Sequence, residues 1–311
     1  MNLAACPWLS SALLAVIALL PSTSFAEISP ENVKQFEAHK LIALQGDPEG
    51  QYDLGIDYAL GVGVTRDEVE AVKWFRKSAE QGHPGARHLL GACYAKGEGV
   101  EKDESEAVKW WRQAADQNWM ESQFILGNCY ANGKGVPKDQ AEAVKWWRKA
   151  ADRGEMFKGH LKAQCNLGTC YANGEGVAKD EVEAVKWWRK AADKGHAQSQ
   201  SNLGAYYEKG LGVAKDEIEA VKWYRKAADQ GNAMALSNLG ACYANGVGVV
   251  KDEVEAYAYF NLAGISDELA RNNRDIVEKK LSPDARLRGQ QRTKELQKVI
   301  EAMIAAKQSG K

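Results

Sequence analysis

Six copies of one motif, Gly-x-Gly-Val-x-x-Asp, begin at Gly61, Gly97, Gly133, Gly174, Gly210 and Gly246. The steps between them are 36, 36, 41, 36 and 36 residues. A Leu-Gly pair precedes each copy at a fixed offset, from Leu54-Gly55 to Leu239-Gly240. A fixed period in this range describes one supersecondary unit that cannot bury its apolar face alone and must stack on its neighbours. Within a unit the periodicity predicts two helices. In the second copy, helix A runs near Ala86–Lys96 with Ala86, Leu89, Leu90, Cys93 and Tyr94 on one face. Gly97 takes the left-handed position that ends it. Helix B starts at Asp103, with Glu106 three residues on as an Asp-x-x-Glu capping box. Its apolar arc is Ala107, Trp110, Trp111, Ala114 and Ala115, and it ends at Asn118 where other copies have Gly.

These observations predict an all-α solenoid of six helix-turn-helix repeats with capping helices at both ends. The expected segments are 1–26, a signal peptide; 27–46, an N-terminal capping helix; 47–264, the six repeats; and 265–311, C-terminal capping helices. Ser29-Pro30 opens the first cap, and Ser266 and Ser282-Pro283 open the last two. The first 26 residues carry no charged side chain, and the apolar run Trp8–Leu20 has 13 residues. That run falls short of the ~20 residues that a spanning helix needs. Ser24-Phe25-Ala26 fits a small-x-small cleavage pattern, so cleavage after Ala26 and a periplasmic or secreted protein are expected. The balance of 41 Lys+Arg against 42 Asp+Glu supplies no field for nucleic acid or an anionic membrane.

The unit Leu-Gly-x-x-Tyr-x-x-Gly-x-Gly-Val-x-x-Asp-x-x-x-Ala, followed by Trp-aromatic-Arg-Lys-Ala-Ala and Gly, resembles the Sel1-like repeat. Leu167–Gly195 is the clearest copy, and Tyr259-Phe260-Asn261-Leu262-Ala263 followed by Asn272–Leu281 is similar to the ending of bacterial members. The resemblance covers residues 47 to about 264 and implies a right-handed α-solenoid, related to tetratricopeptide repeats, that binds other proteins. Exported bacterial members serve host interaction, envelope assembly and toxin neutralisation. A scaffold is therefore expected, with a periplasmic immunity-type protein as alternative and an envelope hydrolase or peptidoglycan-active enzyme as the reading from another class.

The other residues point away from chemistry. The ten Trp include a ladder, Trp74, Trp110–Trp111, Trp146–Trp147, Trp187–Trp188 and Trp223. The ladder falls on helix B's apolar arc and reads as core rather than a stacking platform, with the first Trp of each pair at the arc's edge. The Gly-x-Gly loops follow helices, not strands, so they are turns rather than phosphate cradles. Cys93, Cys129, Cys170 and Cys242 share one core position, and Cys165 is expected opposite the core. No His has metal-ligand spacing, and no Ser or Cys has a base positioned beside it, so neither cofactor nor metal is expected.

The resemblance also implies that helix A lines the concave surface and that a partner binds there. At ~100° per residue from Ala86, positions 88, 92 and 96 point outward. Those positions vary between copies, and the candidates are His88, Phe124, Asn128, Asn132, Cys165, Asn173 and Lys209. Phe157 joins them from the insertion behind the 41-residue step, which also brings Met156 and His160.

Overall fold

The computed structural model describes residues 29–152 and 160–308. The expected signal peptide and Phe157 lie outside the described residues. Among those described are fifteen helices and no strand. Their contacts form two compact units, divided after Lys138.

In the first unit, α1 (Pro30–Leu44) precedes α2 (Pro48–Leu60), α3 (Glu68–Glu80), α4 (Pro84–Lys96), α5 (Glu104–Asp116) and α6 (Met120–Asn132). The second holds α7 (Gln140–Ala151), α8 (Leu161–Asn173), α9 (Glu181–Ala192), α10 (Ala197–Lys209), α11 (Glu217–Ala228), α12 (Ala233–Asn245) and α13 (Glu253–Ala263). Two further helices follow, α14 (Glu268–Glu278) and α15 (Pro283–Gln308). The twelve helices α2–α13 are the expected A and B helices of six repeats, A even and B odd.

Each B helix opens on its aspartate. Asp103 Oδ1 accepts the Glu106 N–H at 2.9 Å, and Asp67, Asp139, Asp180, Asp216 and Asp252 do the same for their repeats. The other half of the expected capping box does not form. The Asp103 N–H already donates to the Tyr94 carbonyl at 2.9 Å, so Glu106 turns outward and meets Lys109 Nζ at 2.8 Å.

The Gly-x-Gly loop joins the two helices and also spaces the repeats. Gly97 (φ 78°) ends α4 in the left-handed conformation and donates its N–H to Cys93 O at 2.8 Å. Gly99 (φ 68°) lies so near the start of α3 that a Cβ would stand 2.0 Å from the Glu68 carbonyl oxygen. Gly212 meets Glu181 in the same way within the second unit, at 2.2 Å. These loops are therefore the seam between successive repeats within each unit.

The core is aromatic on alanine. In five of the repeats the second aromatic of the B helix lies over the Leu-Gly glycine of its own repeat, and a Cβ at Gly168 would meet Trp188 at 2.5 Å. The indole of Trp188 donates to Cys165 O at 3.1 Å, as Trp111 does to His88 O. Trp74, Trp146, Trp187 and Trp223 are more buried than an arc edge implies, because a lysine one turn on lies across each ring, whereas Trp110, with Gln113 at that place, is half-buried. Lys77 stands 3.8 Å from the Trp74 centroid and Lys226 4.0 Å from Trp223.

The last B helix differs. In α13, Ala258 and Leu262 are buried where α11 exposes Lys222 and Lys226. The reason is α15, which packs over that face: Leu296 joins the same apolar cluster, and Arg292 Nε reaches Glu255 Oε1 at 2.7 Å.

Candidate functional site

The A helices were expected to turn positions 88, 92 and 96 outward. The structure corrects the first of these. His88 and Cys165 are 5% and 6% exposed, and Ser201 is fully enclosed. α4 packs against α3 and α5 and also meets the next A helix, α6, so its buried sector is wider than one apolar arc. Position 88 falls in the A–A seam, where His88 Nδ1 meets Ser122 Oγ of the next A helix at 2.8 Å. Cys165 makes the equivalent hydrogen bond with Ser199. Neither His88 nor Cys165 can meet a partner without the helices parting.

The free sector lies about 70° further round, on the i, i+4, i+7, i+11 line through positions 85, 89, 92 and 96. On α8 this is Lys162, Asn166, Thr169 and Asn173; on α10 it is Gln198, Asn202, Ala205 and Lys209. All eight are half-buried or exposed. Asn173 and Lys209 thus keep their expected exposure, and in the first unit so do Asn128 and Asn132 on α6. The Asn132 amide donates to Asn128 O at 2.8 Å, and the Asn173 amide donates to Glu175 Oε1 at 2.9 Å. Phe124 is half-buried, one residue off this line.

Three features escaped the sequence reading. The first is the A-helix cap. His83, His160 and His196 each accept an N–H of the first turn through Nδ1, at 3.0, 3.2 and 3.3 Å. Desolvation lowers the His160 pKa to about 4, which keeps Nδ1 free to accept. The second is a set of rungs in which the arginine of one B helix donates to the tyrosine hydroxyl of the following A helix. Arg76 meets Tyr94 at 2.5 Å, Arg225 meets Tyr243 at 2.7 Å, and Arg112–Tyr130 and Arg189–Tyr207 repeat the contact. The recurring Arg and Tyr were visible, but no local rule pairs residues 18 apart. The third is a row of amides: Asn166, Asn202 and Asn238 occupy position 89 of three successive A helices and are all half-buried.

A serine does stand beside a histidine, at His88–Ser122, contrary to the sequence reading. Ser122 is wholly enclosed, however, and burial pushes the His88 pKa down to about 4, so the pair packs helices and is closed to a substrate. Burial raises the thiols of Cys93 and Cys242 to about 12 and those of Cys129 and Cys170 to about 11, which suits small core residues and not nucleophiles. Among the described residues no group of three His, Cys, Asp or Glu could hold a metal ion. No helix there is long and apolar enough to cross a membrane.

The Sel1 repeat model matches residues 48–83, 84–119, 121–155, 161–196, 197–232 and 233–265. The chain belongs to the Sel1 repeat family. A Sel1 repeat protein from Oxalobacter formigenes is 32% identical to this Sel1-repeat protein, with a TM-score of 0.68. The match covers 76% of this chain and 96% of that one. A protective antigen of uropathogenic Escherichia coli displaying an SLR fold is 28% identical over 90% of this chain and 82% of its own, with a TM-score of 0.45. An immunity protein of Pseudomonas aeruginosa is 23% identical over 70% and 81%, with a TM-score of 0.39. No curated protein matches.

Proposed function

We propose that this Sel1-repeat protein is an exported scaffold that holds an extended segment of a partner protein against the free face of its A helices, in the second unit. The reading rests on the row Asn166, Asn202 and Asn238. A carboxamide presents both a donor and an acceptor, which is what the main chain of an extended peptide needs on each side. Packed helices lie ~8–10 Å apart, and an extended chain rises ~3.3 Å per residue. One amide per helix then meets about every third residue of the segment, whatever its side chains. Position 92 beside the row is small, with Thr169, Ala205 and Ala241, which leaves the main chain room to approach. Export is supported by the apolar Trp8–Leu20 run and the Ser24-Phe25-Ala26 site.

The deciding experiment compares capture from an envelope extract by the wild type and by the triple variant N166A/N202A/N238A. The captured partner, identified by mass spectrometry, is expected to be lost from the variant while its melting temperature stays within a few degrees. Undiminished capture of the same partner by the folded variant removes the amide row. N-terminal sequencing of the mature protein is expected to begin at Glu27, and retention of Met1 rules out the export.

A further inference from the structure

The first described helix stands to α2 as a B helix stands to the next A helix. A Cβ at Gly63 would lie 2.2 Å from the Asn32 carbonyl, just as one at Gly99 would meet Glu68. Lys40 and Tyr58 then fall on the Arg76 and Tyr94 positions. The same alignment sets His39 where later repeats have Phe75, Trp111, Trp188 and Tyr224. It sets Asp57 where they have Cys93, Cys129, Tyr206 and Cys242. Elsewhere this contact between successive repeats is an aromatic ring on a thiol or a phenol, with Trp188 and Tyr206 edge to face at 4.7 Å. Here alone it is polar. His39 Nδ1 lies 2.7 Å from Asp57 Oδ2, and Asp57 is 3% exposed.

We propose that His39 and Asp57 form a proton-operated latch that fastens α1 onto α2 more tightly as the surroundings acidify. A carboxylate buried to this degree is stable only with a positive partner or with its own proton, and protonation of Asp57, whose O–H can then donate to His39 Nδ1, supplies the latter. The neighbouring groups push the same way. Asp53, one turn earlier on α2, has its pKa raised to about 6, chiefly by burial, with Glu49 and Asp57 adding repulsion and His39 and His83 opposing it. Burial also raises Asp57 against the pull of His39. From α1 the chain brings Glu37 and Lys40 to the adjoining Tyr58, and α3 presents the apolar Phe75 and Ala71 to α2. A carboxyl whose pKa is raised in the docked state takes up a proton on docking. Its contribution is complete below the ordinary carboxylate value, near 4, and is lost as pH rises through the raised value. The sign is therefore tighter in acid and looser at neutral pH.

What the latch covers is the apolar cluster of Phe36, Ala43, Leu54 and Trp74. Loosening α1 uncovers Leu54 and Trp74 as an apolar end at neutral pH and closes it again in acid.

Hydrogen exchange of the full chain, read by mass spectrometry and corrected for intrinsic rates, tests this. Protection of α1 relative to α5 is expected to be at least fivefold greater at pH 5.5 than at pH 7.5. The variant H39F/D57C installs the pair that the second repeat uses, and in it the ratio is expected to fall to half the wild-type value or less, the remainder belonging to Asp53. D57N, which keeps the shape and removes the charge, is expected to flatten the dependence if the double variant folds poorly. Equal wild-type protection at the two pH values, or a wild-type ratio retained in a folded variant, overturns the latch.

Discussion

His88 Nδ1 and Ser122 Oγ meet at 2.8 Å across the seam between α4 and α6, with both side chains buried. The imidazole has no acidic neighbour, and desolvation alone lowers its pKa to about 4. It is therefore held neutral, as a shaped polar filler joining two successive repeats.

Acid should weaken the first unit through this residue. The folded pKa is depressed, so the stabilisation is complete above the unfolded value near 6.5 and is lost as pH falls towards 4. The shift corresponds to at most about 3 kcal/mol. Urea melts at pH 7.5, 6.0 and 5.0 should show the wild type losing stability on acidification faster than H88N. A pH slope unchanged by H88N would falsify the assignment. The slope is opposite in sign to that of the His39–Asp57 latch, so a single chain should tighten at α1 while its α4–α6 seam weakens.

Gly99 should tolerate no side chain. A residue with φ near +68° pays strain in any L-amino acid, and the Cβ would overlap the Glu68 carbonyl at 2.0 Å. G99A is expected to cost about 2–5 kcal/mol, combining backbone strain with overpacking. Gly195 makes a useful control, because a Cβ there meets nothing within 4 Å although its φ is +86°. G195A should cost only the conformational part, about 1–2 kcal/mol. Equal losses in the two variants, measured by denaturant melts, would show that the carbonyl contact is unimportant.

Removing one B-helix cap gives a smaller loss. Asp216 accepts the Glu219 N–H at 2.9 Å, and D216A should destabilise by about 1 kcal/mol. D216N, which keeps the acceptor, should recover most of it. A deficit as large in the amide variant would assign the effect to charge at the helix start instead.

Thiol counting distinguishes the folded core from the N-terminal segment. Cys93, Cys129, Cys165, Cys170 and Cys242 are free, and burial raises the pKa of each. With an aromatic disulfide reagent at pH 7.5 these five should react only after denaturant is added. Cys6 lies in the expected leader, so the denatured protein should show six thiols in a chain that retains the segment and five in one cleaved after Ala26. Rapid native labelling of Cys165 would return it to the surface.

Most of the fold could be read without coordinates because the repeat states each rule six times. Asp103 as cap, Gly97 as left-handed stop and Trp111 as core are local or periodic signals, and six copies average out the exceptions. The binding face was less legible for a geometric reason. Counting from Ala86 assumes a helix with one buried side, whereas α4 has a second A helix along its flank, which swallows His88 and leaves Lys96 outside. The polar contacts are harder still. Arg225 and Tyr243 stand 18 residues apart on different repeats, and their meeting depends on how the helices stack. Asp57 was hidden among cysteines because periodicity treats a departure from the repeat as noise.

The spacing of the array is written in main chain. Glycine on one side and a carbonyl on the other make a close approach between repeats, at Gly99 and Glu68 as at Gly212 and Glu181. Neither partner is recognised by its side chain. A unit bounded in this way can be duplicated, deleted or shuffled in the gene and still find its neighbour at the same distance. Lineages of this architecture are thus free to change length in whole units while the exposed positions diverge, much as beads can be restrung on a cord whose knots are all alike.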